Sequence, residues 1–394
     1  MTADPHPLLR GVVEAIPEGD LLRRASQKKL RVKFGVDPTA PDLHLGHLVV
    51  LRKLRQFQEL GHTVVYIIGD FTARIGDPSG RKTTRPPLEP DVIEANARTY
   101  LDQVFQVLDR DRTEVVRNGE WFGKMGFADV LRLAGSGTVA RTLERDDFAE
   151  RVKTGSPIGV HELLYPLMQG YDSVAVRADV EIGATDQKFN LLVGRDLQER
   201  AGQAPQVIVT MPLLVGTDGT QKMSKSYGNH IAFRDDPENF YGKVMSIPDA
   251  LLFDYWRLLT DRDENEIGEM AKACAAGREN PRDVKAALAR ELVSFFHGAE
   301  SAGRAERHFQ KVVVSKDAPD DVEEFRVEAG AAADLAGLLA KAMLVPSKSE
   351  ARRMLRQGAV YVNGQRMDEK TAYLPKDGDL FKVGKRRFVR LRVS

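Results

Sequence analysis

The spacing of apolar positions changes repeatedly along this chain, and the changes predict alternating strands and helices. Leu30–Val36 (LRVKFGV) is a short apolar run that reads as a buried strand. Leu48, Leu51, Leu54, Phe57 and Leu60 then recur at three-residue spacing, which predicts a helix over Leu45–Leu60 ended by Gly61-His62. Thr63–Gly69 (TVVYIIG) is a second apolar, β-rich run. Strand, helix and strand in so short a stretch make a βαβ unit, and βαβ units build parallel sheets. Further strands are expected at Glu114–Arg117, Val174–Ile182 and Gln206–Val215, and helices over 91–108 and 144–172. The expected fold is α/β: a doubly wound, Rossmann-like parallel sheet with a helical insertion between its halves, occupying residues 1–232.

Beyond that the pattern is mostly helical to about Val312, giving a helical middle domain over 233–312. Ser315–Asp321 and Gly330-Ala-Ala-Ala read as linker, so 313–332 is taken as a connection. The tail, 333–394, shows a helical Leu335–Met343, a basic helix over Ser349–Gln357 and β-like runs at Ala359–Val362 and Phe388–Val393, a small α+β pattern. There is no internal repeat.

Charge sharpens this division. The chain is nearly neutral, +1 overall over 394 residues. Residues 347–394 hold thirteen lysines and arginines against five acids, an excess of +8 that leaves −7 for residues 1–346. A basic tail on an acidic body fits either a solvated charged surface or a polyanionic partner. The single cysteine, Cys274, excludes internal disulfides and a thiolate zinc cluster and fits a cytoplasmic setting. No apolar run is long enough to span a membrane, and MTADPHPLLRGVVEAIPEGD lacks the pattern of a secretory signal.

Candidate chemistry concentrates in two motifs. Asp37-Pro-Thr39-Ala-Pro-Asp-Leu-His44-Leu-Gly46-His47 directly follows the first strand. In parallel α/β sheets that position is a ligand site, where helix N-termini face the ligand. Two imidazoles three residues apart share one face of a helical turn and can donate to phosphate oxygens as charge develops. Gly46 lets a base or ribose approach the backbone, and Thr39 adds a hydroxyl. Surface histidines at a helix start are the plainer alternative. A zinc site lacks the glutamate of H-E-x-x-H. Far downstream, Lys222-Met-Ser-Lys225-Ser lies between Gly219 and Gly228, so two lysines on a loop with room to move can reach one triphosphate.

Together and in this order, the two motifs resemble the signatures of class I aminoacyl-tRNA synthetases. His161-Glu-Leu-Leu-Tyr165-Pro-Leu-Met-Gln169-Gly-Tyr-Asp172 narrows this, because it is similar to the recognition helix of the tyrosyl-tRNA synthetases. Tyr165, Gln169 and Asp172 fall at i, i+4 and i+7 and face one way. Ile75-Gly-Asp77-Pro-Ser-Gly80 and Gly183-Ala-Thr-Asp186-Gln187 resemble two further loops of that family.

The resemblance implies ATP-dependent activation of L-tyrosine and its transfer to the 3' end of tRNA(Tyr). It implies a phosphate site of Thr39, His44, His47, Lys222 and Lys225. ATP would also meet Gly35, Asp37, Gly46, Gly183, Asp186, Met223 and Ser224. Asp77, Tyr165 and Gln169 would hold the α-ammonium, with Gln187 nearby. Asp172 would accept from the phenol, and Glu181 would orient pocket water. Mg²⁺ would arrive with ATP, without a metal site of the protein's own. The C-terminal block is similar to an S4-like RNA-binding domain, with Lys348, Arg352, Arg353 and Arg356 toward tRNA. A homodimer is implied, with the apolar residues of 127–143 as its face.

Rivals are a tryptophanyl enzyme, opposed by Tyr165, Gln169, Asp172 and the tail, and an RNA-binding protein with a decayed core, opposed by intact His44, His47, Lys222 and Lys225. One departure stands out. Where the best-known bacterial form has Tyr-Cys-Gly, this chain has Lys33-Phe34-Gly35, and Lys33 can either donate to the phenol or swing out to solvent.

Overall fold

The computed structural model describes residues 6–79, 88–314, 322–327, 334–369, 373–384 and 387–393. Gly80, both linker candidates (Ser315–Asp321 and 330–333) and Lys370, Lys385 and Arg386 lie outside them. The chain forms two compact units, one of residues 1–236 with 243–292 and one of 237–242 with 293–394.

In chain order the strands are β1 Glu14–Ile16, β2 Arg31–Val36, β3 Thr63–Ile68, β4 Thr113–Arg117, β5 Val180–Ala184, β6 Val207–Met211, β7 Glu324–Val327, β8 Val360–Val362, β9 Gln365–Arg366, β10 Leu380–Val383 and β11 Arg387–Val393. The helices are α1 Asp20–Gln27, α2 Leu45–Glu59, α3 Pro90–Val104, α4 Gly119–Phe122, α5 Phe127–Ala134, α6 Val139–Thr142, α7 Asp146–Lys153, α8 Val160–Val176, α9 Lys188–Arg200, α10 Pro237–Met245, α11 Leu252–Leu259, α12 Glu264–Ala275, α13 Pro281–His297, α14 Ala299–Phe309, α15 Leu335–Lys341 and α16 Lys348–Arg356.

The larger unit is built on a sheet of order β1-β6-β5-β2-β3-β4. All neighbours pair parallel except β1, which runs antiparallel to β6. Strands β3 and β6 are buried almost throughout, as expected of strands covered on both faces. After β2 the chain winds to β3 and β4 on one side and returns to β5 and β6 on the other. The order therefore reverses between β2 and β5, where such sheets open a crevice at their carboxyl ends. Helices α4 to α8 form the expected insertion between β4 and β5.

Three expectations are corrected in detail. The run Val174–Ile182 is not one strand. Helix α8 continues to Val176, which packs with Val65, Ile67 and Ala178, and the strand starts at Val180. Short runs of branched residues suit a helix face or a strand equally, so periodicity cannot separate them. The strand expected over Gln206–Val215 stops at Met211, because Pro212 has no N–H for the ladder. The stretch 313–332, read as linker, contains β7, which pairs parallel with β11. With only four residues on a sheet edge, β7 offers little apolar patterning to read.

In the second unit the sheet order is β7-β11-β10-β8-β9. Asn363 and Gly364 both take positive φ, +49° and +81°, the geometry of a two-residue hairpin turn between β8 and β9. Helix α16 buries Ala351 and Leu355 against a core that includes Leu339, Val360, Phe381 and Leu391. That packing leaves the side chains of Lys348, Arg352, Arg353 and Arg356 at 54–69% exposure on the opposite side.

Candidate active site

The reversal between β2 and β5 holds a cavity of about 350 Å³. Its walls include Gly35 near the end of β2, Asp37 just after it, Thr39, His44, Gly46, His47, Asp77, Tyr165, Gln169, Asp172, Gly183, Asp186, Gln187, Lys222, Met223 and Ser224. Sequence positions nearly 190 apart thus share one pocket. Lys225 stands close by, 3.7 Å from Asp42.

Backbone pairing joins the two motifs. His44 bridges antiparallel to Ala232, with Leu45 N donating to Ile231 O at 3.0 Å and Phe233 N to Leu43 O at 3.0 Å. The loop between Gly216 and Asn229 is fastened at its base. Val215 bridges Lys222, and buried Asn229 donates to Asp218 and accepts from Ser224 N.

The histidines carry a defined proton arrangement. His44 caps α2, its Nδ1 accepting from Gly46 N at 3.2 Å. His47 Nδ1 accepts from His44 N at 3.2 Å. A ring nitrogen that accepts a backbone N–H carries no proton, so each neutral imidazole has its proton on Nε2 and offers it as a donor. Burial pushes His44 well below the usual histidine range and His47 down to about 4, so both rings are neutral at pH 7. The rings lie 4.1 Å apart. A Cβ on Gly46 would press against the His44 ring, so this close packing requires glycine there.

Carboxylates and amides complete the wall. Asp186 holds Lys222 Nζ at 2.7 Å. Asp77 accepts from Ser79 N and from Gln187 Nε2 at 2.8 Å. Asn190 donates to both Gln169 and Gln187, and itself accepts from Arg145. Tyr165, kept protonated by burial, donates to Asp37 at 2.9 Å. Asp37 also accepts from Thr72 at 2.7 Å, so its contacts face the Tyr165 side of the pocket. A Cβ at Gly69 would overlap the Asp37 carboxylate, and glycine at the end of β3 makes room for it.

Asp172 is 4% exposed and accepts from Trp121 Nε1 at 2.9 Å and Asn118 Nδ2 at 3.4 Å. Burial pushes its carboxyl up to about 7, against the opposing pull of Lys33 and the two donors.

Lys33 takes neither expected course outward. It is fully buried, bound to Glu181, Ser173 and the Gln169 carbonyl, because an ammonium at that depth needs acceptors and finds three. Glu181, expected to orient water, is its ion-pair partner at 2.8 Å. Sequence reading also missed Thr72, Asn118, Trp121, Arg145 and Asn190. None sits in a recognisable spacing; the fold alone brings them to the pocket. Among the described residues no cluster of three or more His, Cys, Asp or Glu side chains is placed to hold a metal ion.

Comparison with known proteins identifies the class. A family model described as tRNA synthetases class I (W and Y) matches residues 25–314. A solved tyrosyl-tRNA synthetase from Archaeoglobus fulgidus, in complex with L-tyrosine, superposes with a TM-score of 0.63 at 26% identity, covering 76% of this chain and 98% of that one. The chain belongs to the class I tRNA synthetases of the tryptophan and tyrosine group. A second model, described as the tyrosine--tRNA ligase SYY-like C-terminal domain, matches residues 315–389. A tyrosine--tRNA ligase of Thermotoga maritima is 56% identical over 98% of this chain and 96% of its own length, and one of Haemophilus influenzae is 50% identical over 98% and 96%. Within the group, the chain is a member of the tyrosine--tRNA ligase family.

Proposed function

We propose that this pocket activates L-tyrosine with ATP and that the protein then transfers the tyrosyl group to the 3' end of tRNA(Tyr). One observation carries the reading: a single cavity lined by two chemically different sets of residues. One set is the Nε2–H groups of His44 and His47 with Lys222, and Lys225 close by; the other is Asp77, Tyr165, Gln169 and Asp172. In-line attack by the tyrosine carboxylate on the α-phosphate forms one O–P bond and breaks another, releasing pyrophosphate. The nucleophile is already ionised, so no general base is needed. Catalysis is positioning plus charge stabilisation.

His44, His47 and Thr39 donate to phosphate oxygens. Asp186 receives the ribose hydroxyls and in doing so gives up Lys222, which is then available to the phosphates along with Lys225. Gly35, Gly46, Gly183, Met223 and Ser224 shape the nucleotide wall. Asp77, Tyr165 and Gln169 hold the α-ammonium, Gln187 stands beside it, and Asp172 accepts from the phenol. Asp37, expected beside ATP, is assigned to the ammonium side because its oxygens face Tyr165 and Thr72. Mg²⁺ belongs with the ATP phosphates, whose charge it neutralises.

Pyrophosphate exchange with tyrosine, with tryptophan and with no amino acid tests the reading. Exchange is expected with tyrosine alone, and tryptophan-driven exchange would overturn it.

The α16 side chains Lys348, Arg352, Arg353 and Arg356 are proposed phosphate contacts for tRNA. Replacing all four with alanine should leave tyrosine-dependent exchange intact and weaken tRNA binding. The slope of log K against log salt should fall by up to about 0.7–0.9 for each phosphate that is no longer neutralised. An unchanged slope would remove α16 from the interface.

We propose a division into a sheet domain over 1–232, helices over 233–312 and an RNA-binding tail over 333–394, joined by 313–332, whose strand β7 adds to the tail's sheet. Pairing of two copies through α5 and α6, where Phe127, Leu131 and Val139 are 56–78% exposed, is also proposed and is testable by sedimentation. No helix among the described residues is long and apolar enough to cross a membrane; a cytoplasmic location is part of the proposal.

A further inference from the structure

Lys33 and Glu181 form an ion pair that the chemistry above leaves unused. Both are at most 1% exposed and face each other on adjacent strands β2 and β5, with Glu181 in the pocket wall. Lys33 Nζ has three acceptors at 2.8 Å: Glu181 Oε1, Ser173 Oγ and the Gln169 carbonyl. That uses every ammonium proton. Glu181 is equally occupied, taking Gln169 Nε2 at 3.3 Å, Ser173 Oγ at 3.0 Å and Gln206 Nε2. A pair this deep adds little net stability, since desolvation offsets the attraction and apolar residues of equal volume often serve as well. Its contacts give a better reason. Gln169 and Asp172 lie within one turn of α8 and both line the pocket. Lys33 grips that turn at 169 and at 173.

We propose that Lys33, held by Glu181, is a positioning and specificity residue for the tyrosine ring: it fixes the 169–173 turn and sets a positive charge behind Asp172, so that Asp172 meets the phenol as an ionised acceptor. This rests on the tyrosine reading of the pocket. The groups facing Asp172 are Lys33 from β2, Glu181 from β5, Trp121 from α4, Asn118 just before it and Tyr165 from its own helix. Lys33, Trp121 and Asn118 favour the carboxylate, while burial and Glu181 oppose it. Without Lys33 the carboxyl holds its proton to higher pH, and at pH 7 most of the sites present a neutral acid.

The test is the double variant Lys33→Met/Glu181→Gln, which removes both charges of the pair, so that neither is buried without the other. Melting by circular dichroism establishes that it is folded. Pyrophosphate exchange is then measured from pH 6 to 9 with tyrosine and phenylalanine. KM for ATP should stay at the wild-type value. KM for tyrosine should rise severalfold at pH 7, because fewer Asp172 carboxyls are ionised there once Lys33 is gone. The rise should shrink toward pH 9 as Asp172 ionises again, and the preference for tyrosine over phenylalanine should fall most at low pH.

Should the methionine variant not fold, Lys33→Gln/Glu181→Gln keeps an amide donor for the Gln169 carbonyl and faces the same criteria. A folded variant with wild-type KM for tyrosine at every pH overturns the proposal. A loss of equal size at pH 6 and pH 9 also overturns it, because it reduces Lys33 to packing. Wild-type protein without tyrosine-dependent exchange would instead bring down the reading of the pocket on which this rests.

Discussion

Alanine at His44, Lys222 or Lys225 will slow tyrosyl-adenylate formation by roughly 10²–10³ each, the usual cost of removing one charge-stabilising donor from a preorganised site. Tyrosine binding should stay nearly intact, because the proposed tyrosine contacts are other residues of the cavity wall, Asp77, Tyr165, Gln169 and Asp172. Stopped-flow formation of the adenylate measures the first quantity, and equilibrium dialysis of tyrosine the second. Abolished tyrosine binding with a normal rate at saturation would contradict this division.

The histidines add a pH signature. His47 is held down to about 4 and His44 well below its usual range, both by burial. Neither changes charge between pH 6 and 8, so they contribute no titration to the activation rate in that window. A step near pH 6.5 that His47→Asn abolished would show that the rings act as imidazolium, against the neutral Nε2–H donors inferred from the cap.

Much of this was legible in the sequence, for identifiable reasons. The βαβ unit over 30–69 announces itself because β3 is buried on both faces and α2 on one, so periodicity and burial coincide. His44, Gly46 and His47 are recognisable because cap, close approach and chemistry fall within four residues. Tyr165, Gln169 and Asp172 are recognisable because one helix face carries them. What stayed hidden depends on contacts across the fold. Trp121 reaches Asp172 from 51 positions away, and Thr72 reaches Asp37 from 35. No local spacing encodes either. Lys33 in a strand pattern suggests an exposed or snorkelling side chain; only the juxtaposition of β2, β5 and α8 supplies the three acceptors that keep it inside. The strand β7 was hidden for the opposite reason: its stability comes from pairing with β11, whose partners such as Arg390 for Glu324 lie far along the chain, and not from its own pattern.

The second large effect should appear at Asp172. Replacing it with asparagine removes the charge but keeps a carbonyl oxygen for Trp121 Nε1, so the pocket floor retains its main internal hydrogen bond. Alanine would leave the part-buried indole N–H without this acceptor and confuse stability with recognition. A pocket built to hydrogen-bond a hydroxyl rejects the analogue lacking it by about 10⁴–10⁵, because the buried acceptor is left unpaired; the tyrosyl enzymes are themselves the known case from which that figure comes. Asp172→Asn should therefore lower the ratio of kcat/KM for tyrosine over phenylalanine by at least about a hundredfold, since an amide that can turn its donor or acceptor toward the ligand is penalised less by a bare ring. Most of the change should be reduced activity with tyrosine, while phenylalanine gains little. The ratio is its own control, because a general weakening of the fold lowers both rates together. Selectivity that survives in a folded Asp172→Asn protein would move hydroxyl recognition away from α8.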